Sequence, residues 1–255
     1  MSQRGRLLLF LPSAAGLLAL LVDGLLRLPR LGGYPGPYGM VVNGVGVSQR
    51  HATNLVSAVN FDYRAFDTLG EEFILFAAAL GVALLLRQMR GEREAREPER
   101  SGDDDEHRFA GASDALRGFA LVFVASLLVL GGYVVAHGAI TPGGGFQGGV
   151  VLAAGAFLTF LAGGVISLKV IAPHRLVEVG DATGAVGFAL IGIGGLIFAD
   201  VLLANFVPLG RPGELLSAGT IPLVSIAIGV EVAGAFLLIW TEFLDQAIFI
   251  RGGGK

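Results

Sequence analysis

The stretch "HGAITPGGGFQGGVVLAAGAF", residues 137–157, runs through a proline and three consecutive glycines into a segment of Val, Leu, Ala and Phe suited to lipid. In a bilayer every backbone N–H and C=O needs an internal partner, so Gly143, Gly144 and Gly145 are not expected to form an open loop among acyl chains. Pro142 suits the first position of a helix, where its missing N–H costs nothing. The glycines would then begin that helix bare of side chains. Gly144 with Gly148, and Gly145 with Gly149, form G-x-x-x-G pairs, the spacing that brings two helices into backbone contact. On this reading Pro142 to Gly149, with Phe146 and Gln147 inside it, is a helix-packing motif. A second reading stays open. A bare helix start presents unpaired N–H groups at the positive end of the helix dipole, and with Gln147 beside them it suits an anion, a water or a neighbouring carboxylate.

The rest of the chain fits a lipid solvent. Of its 255 residues 53% are hydrophobic and only 15% charged, against about 25% charged in an ordinary globular domain. The 40 glycines, within long apolar runs, point to closely packed helices rather than to flexible loops. There is no cysteine, which excludes disulfides and thiolate-held metals or clusters, and neither a P-loop nor a Gly-rich dinucleotide turn is present. No cofactor is expected.

Crossing a ~30 Å hydrocarbon core takes about 20 apolar residues as a helix. Runs near Leu7–Leu26, Leu69–Leu86, Leu116–Ala136, Phe146–Val170, Thr183–Val207 and Ser217–Ile239 meet this, giving an all-α polytopic protein of about six spans. With both termini in the cytoplasm, Arg4, Arg6, the arginines between 87 and 117, Lys169, Arg175, Arg251 and Lys255 fall inside. Only Arg27, Arg30, Arg50, Arg64 and Arg211 fall outside, as the positive-inside rule prefers. The hydrophilic stretch "RQMRGEREAREPERSGDDDEHR" separates the second span from the third and reads as a solvated linker. It divides the chain into a two-span part, residues 1–90, a charged flexible cytoplasmic linker, residues 91–112, and a four-span part, residues 113–255.

Acids in or near spans are the candidate ion-handling groups, because an ionised side chain at the centre of a membrane helix costs roughly 2.5 to 3.5 kcal/mol and turns towards protein, water or ions. Glu231 stands in an apolar run between Gly229 and Gly234, and Asp200 stands in "GLIFADVLLANF". Asp62, Asp67, Glu71 and Glu72 lie at or before the start of the second span, where they serve either an ion path or a helix terminus. Arg64 is a ready ion-pair partner for Asp62 or Asp67. His137 is suited to shuttling protons or to a local hydrogen bond. Asp23 and Arg27 have the i, i+4 spacing of a simple ion pair.

The motif "HGAITPGGGFQGG", with "VPLGRPGELLSAGTIPL" and "IGVEVAGAFLLI", resembles the B subunit of the Mrp-type multisubunit Na+/H+ antiporters and its counterpart in membrane-bound hydrogenases, over about Leu116 to Phe243. "NLVSAVNFDYRAFDTLGEEFILFAAALGVALLLR" is similar to the C-terminal end of the large A subunit of the same antiporters, or to the equivalent hydrogenase subunit. Ala139 stands where relatives often carry histidine, and Ala65 where the first motif usually has glycine. The resemblance implies two neighbouring pieces of one complex fused in a single chain. It implies a multi-pass subunit of a bacterial or archaeal cell membrane that partners other antiporter subunits, with Na+ and H+ as transported ions, the lipid bilayer as surroundings and no nucleic acid. Asp62, Asp67, Glu71, Glu72, His137, Asp200 and Glu231 are then ion-path candidates, and the chain itself is not an enzyme. The alternatives are a membrane-arm component of a redox-driven pump and a purely structural scaffold.

Overall fold

The computed structural model describes residues 3–28, 36–86 and 113–252, and those residues contain helices and loops but no strand. The segment 91–112, read above as a linker, lies outside them. Two compact units divide after Gly44. In the first, α1 (Gln3–Leu26) passes through Pro12 without a break, and Asp23 pairs with Arg27 at 2.8 Å as their spacing suggests. Phe10–Leu26 is its apolar stretch among the described residues. The division falls within α2 (Pro37–Arg50), a helix too short and too polar to cross a membrane.

The second unit holds the bundle. After α3 (Leu55–Ala58) the chain widens into a π-helix, Val59–Tyr63, and turns at Arg64 into α4 (Ala65–Leu86). Four further helices follow: α5 (Asp114–Ala136), α6 (Gly145–Ile171), α7 (His174–Ala199) and α8 (Ile221–Gly252). Together with α4 they supply five stretches long and apolar enough to cross a membrane. The helix α8 packs against α4, α6 and α7, while α5 packs mainly on α6. Long apolar side chains alone would hold these helices well apart; glycines bring them into backbone contact. A Cβ on Gly149 would sit 2.8 Å from the Gly229 carbonyl oxygen, and one on Gly184 would sit 2.6 Å from that of Ala227.

Three sequence expectations change. Pro142 does not open a helix: α6 begins at Gly145, and Gly143 and Gly144 precede it at φ +128° and +152°. Those angles are open to glycine and strained for other residues, so the glycines turn the chain before the helix starts. The two G-x-x-x-G pairs also part company. Gly145 and Gly149 both face α8, whereas Gly148 faces Gly131 and Val135 of α5. The fifth span starts at His174 rather than near Thr183, because Pro173 supplies an extended residue just before it. It ends at Asp200, which takes a left-handed conformation at φ 59°. Residues 201–206 then fold back along α7, with Leu203 donating its backbone N–H to the Gly192 carbonyl at 3.0 Å.

A buried acid cluster between three helices

Loops meet at the end of the bundle where α4, α6 and α8 start and α5 and α7 finish. Asn54 organises them. Its side-chain oxygen accepts the N–H of Val56 at 3.2 Å, capping α3, while its amide nitrogen faces the carbonyls of Gly138 (2.8 Å), Thr141 (2.9 Å) and Gly143 (3.2 Å). The backbone N–H of Asn54 donates to Ala139 at 3.1 Å, and Ser57 Oγ donates to Gly138 at 2.6 Å. Nearby, His51 Nδ1 donates to the Gly210 carbonyl, and Ser217 Oγ donates to that of His51 at 2.8 Å. The segment before α4 is thus sewn to the loops before α6 and α8, and Ala139 takes part through its backbone alone.

Beside this seam an open cavity of about 650 Å³ is bordered by Arg50, Asp62, Tyr63 and Arg64, with Val201 to Asn205 opposite. The Asp62 side chain is only 6% exposed and pairs with Arg50 Nε at 2.6 Å; its other oxygen, Oδ2, has no partner. The Arg50 guanidinium lies 5.0 Å above the ring centre of Tyr63. Arg64 serves Asp67, with Nε 2.6 Å from Oδ2, so of the two partners its position offered it takes Asp67 on the helix it introduces.

One side of α4 carries a different chemistry deeper in the bundle. Glu72 is buried, seven residues beyond Ala65 at the cavity's edge, or about 10 Å along the helix. It meets Glu231 of α8, which is fully buried, and Asp181 of α7 is 1% exposed. The Glu231 carboxyl lies near enough to those of Glu72 and Asp181 for their charges to interact. Neither oxygen of Glu231, neither of Asp181 and not Oε2 of Glu72 receives a hydrogen bond. The carboxyls sit in a narrow seam, since a Cβ on Gly184 would fall 2.5 Å from that of Glu231 and one on Gly234 would fall 2.5 Å from the Asp181 backbone nitrogen. Apolar residues close it on both sides along the helices: Phe188, Ile228 and Val232 in one buried cluster, Ala79, Val177 and Ala235 in another.

The other candidates lie apart. Glu71 and Asp67 are exposed. His137 stacks on Tyr133 at 4.0 Å and is placed for a local bond from Nδ1 to the Tyr133 carbonyl at 3.1 Å. Asp200 is exposed at the end of α7, not within a span, and the structure gives it no buried setting for ions. Gln147 is exposed and no side chain caps the start of α6. Asp181 is the residue that sequence reasoning misses. A start at Thr183 leaves it outside the span, although Pro173 marks the true start.

Residues 115–238 match the family model of a domain related to the MnhB subunit of the Na+/H+ antiporter, and residues 41–101 match that of MbhE, the E subunit of MBH. The uncharacterized protein MJ1307 of Methanocaldococcus jannaschii is 32% identical over 81% of this chain and 85% of its own length. The probable A/B subunit of a K(+)/H(+) antiporter of Rhizobium meliloti is 27% identical over 77% of this chain, which spans only 21% of that protein. Among solved structures, a chain of the membrane-bound sulfane sulfur reductase, an archaeal respiratory membrane complex, aligns with a TM-score of 0.70 at 28% identity, covering 94% of this chain and 98% of that one. A chain of the Mrp complex from Dietzia sp. DQ12-45-1b aligns with a TM-score of 0.69 at 23% identity, covering 95% of this chain and 26% of that one, which speaks for a shared fold.

Proposed function

This chain belongs to the family that carries a domain related to the MnhB subunit of the Na+/H+ antiporter, and from that premise we propose that it is a membrane component of a multisubunit cation/proton antiporter. It contributes part of the ion route and the contact surface between larger subunits. The observation that carries this reading is the meeting of Glu72, Asp181 and Glu231 between α4, α7 and α8, without a base or a hydrogen-bond donor to Glu231. A structural core has no use for such a group, because buried charge is costly unless something mobile neutralises it. The cavity bordered by Asp62 and Ala65 opens at the sewn end of the bundle, about 10 Å along α4 from Glu72.

Glu72 belongs to the segment similar to MbhE, and Asp181 and Glu231 to the MnhB-related one. The site therefore spans the junction of the two parts read from the sequence as 1–90 and 113–255. Both termini face the cytoplasm, on the strength of the basic residues there. The family is one of transporter subunits, and the chain carries no enzyme chemistry of its own.

The test is cation-dependent proton flux in proteoliposomes holding the whole complex, with wild-type chain or Glu231→Gln. The variant is expected to lose at least about tenfold in flux with its subunit composition unchanged, the loss of a group that the ions themselves must meet. Full flux from an intact variant complex would leave the chain a scaffold. A redox-driven complex is the second reading, favoured by the end-to-end alignment with the sulfane sulfur reductase chain. Copurification of cluster-bearing peripheral subunits would select it.

A further inference from the structure

We propose that Glu72, Asp181 and Glu231 form a proton-binding site, in which carboxyl groups of two fused segments hold protons and no metal cation is bound. The proposal rests on the ion-route reading above and names the ligand of that site. Three nine-tenths-buried acids with unpartnered oxygens mark a place that something positive occupies.

The groups that face the site offer no counter-charge. On α4 the neighbouring Glu71 adds a negative one, felt at Glu72. On α7 the next ionisable groups are Glu178, nearly a turn away from Asp181 and paired with His174 at 3.4 Å, and Arg175, which is exposed nearly two turns away. Glu231 is the sole charged residue of α8 between Ile221 and Trp240, and neither α5 from Gly118 to Ala136 nor α6 from Gly145 to Leu168 carries one. No arginine, lysine or histidine pairs with the three acids among the described residues.

Geometry decides between the two kinds of occupant. A hard metal cation needs several oxygens around one point, and among the described residues no three Asp, Glu or His side chains converge closely enough to hold one. Transporters often complete such a shell with carbonyls of an unwound helix. Here α4, α7 and α8 run unbroken past the acids, so their carbonyls are engaged within the helices. The glycine contacts also leave little room, whereas a proton needs none. In the chemical step a carboxylate oxygen of Glu231 takes H+ from a hydronium ion, forming O–H and releasing a water molecule, and the acid so formed donates to the Glu72 carboxylate. One proton then serves two carboxyls, with Asp181 next to receive another.

Infrared spectra of the intact complex test this through the carbonyl stretch of protonated carboxyl groups. The expected result is a band that grows as pH falls in Na+-free buffer and keeps its amplitude when Na+ or K+ is added at constant pH. Difference spectra of Glu231→Gln and Asp181→Asn should each lose part of that band. Disappearance of the band on adding Na+ or K+ at fixed pH would overturn the proposal, as would its absence at every pH at which the complex stays folded. The salt titration needs only wild-type protein, so a variant that fails to assemble leaves the decision intact. Protonation is read here without transport: a complex that fails to pump but keeps the band refutes the antiporter reading alone, and a pumping complex with a cation-sensitive band refutes this one alone.

Discussion

Asn54 joins segments more than eighty residues apart through one amide. It caps α3 with its oxygen and meets the carbonyls of Gly138, Thr141 and Gly143 with its nitrogen. Asn54→Ala removes the cap and strands buried carbonyls, a loss of about 2 to 3 kcal/mol that a lower denaturation midpoint in detergent would register. Asn54→Asp tells the two roles apart. A carboxylate still caps but has nothing to donate, so this variant should be destabilised although its cap is intact; wild-type stability would refute the donor role. Sequence could not reveal such a residue, because its partners are backbone atoms of a distant loop. Glu231 was legible, since a lone acid in an apolar run of ample length has few explanations. Asp181 was hidden by the averaging that locates spans: Glu178 and Asp181 dilute the first turns of α7 and push its apparent start towards Thr183.

At the scale of elements the glycines set the distances. A side chain on Gly145 would run into the Ser225 carbonyl and Ile228 of α8, so Gly145→Leu should force α6 and α8 apart at about 3 kcal/mol or more. Native gels of the complex should then show assembly and activity lost together. Gly155→Ala is the control, since its Cβ would meet Leu127 and Leu128 at an ordinary 3.5 Å and should leave assembly unchanged. A Gly145→Leu complex that assembles would refute the close-packing account. The spacing of Gly145 and Gly149 was legible as a shared face, but spacing alone could not say that Gly148 serves a different neighbour. Neither the π-helix nor the turn at Gly143 and Gly144 carries a periodic signal. Pro142 invited a helix start that the backbone delays until Gly145.

At the scale of the whole molecule, the all-helical, apolar character of the spans follows from composition, whereas which helices touch does not. The segments similar to MbhE and to the MnhB domain meet through the Asn54 seam and through α4 against α8. If those contacts suffice, a chain cut within 91–112 and expressed as two polypeptides should still copurify as a pair from detergent. Recovery of one piece without the other would show that the covalent link is needed. The segment between Leu86 and Asp114 joins helix ends on the side of the bundle away from the Asn54 seam. A tether at one pole and a hydrogen-bonded clasp at the other make the ratio of the two pieces one to one whatever the rate of their synthesis. Either piece that works loose in the bilayer also stays within reach of its mate.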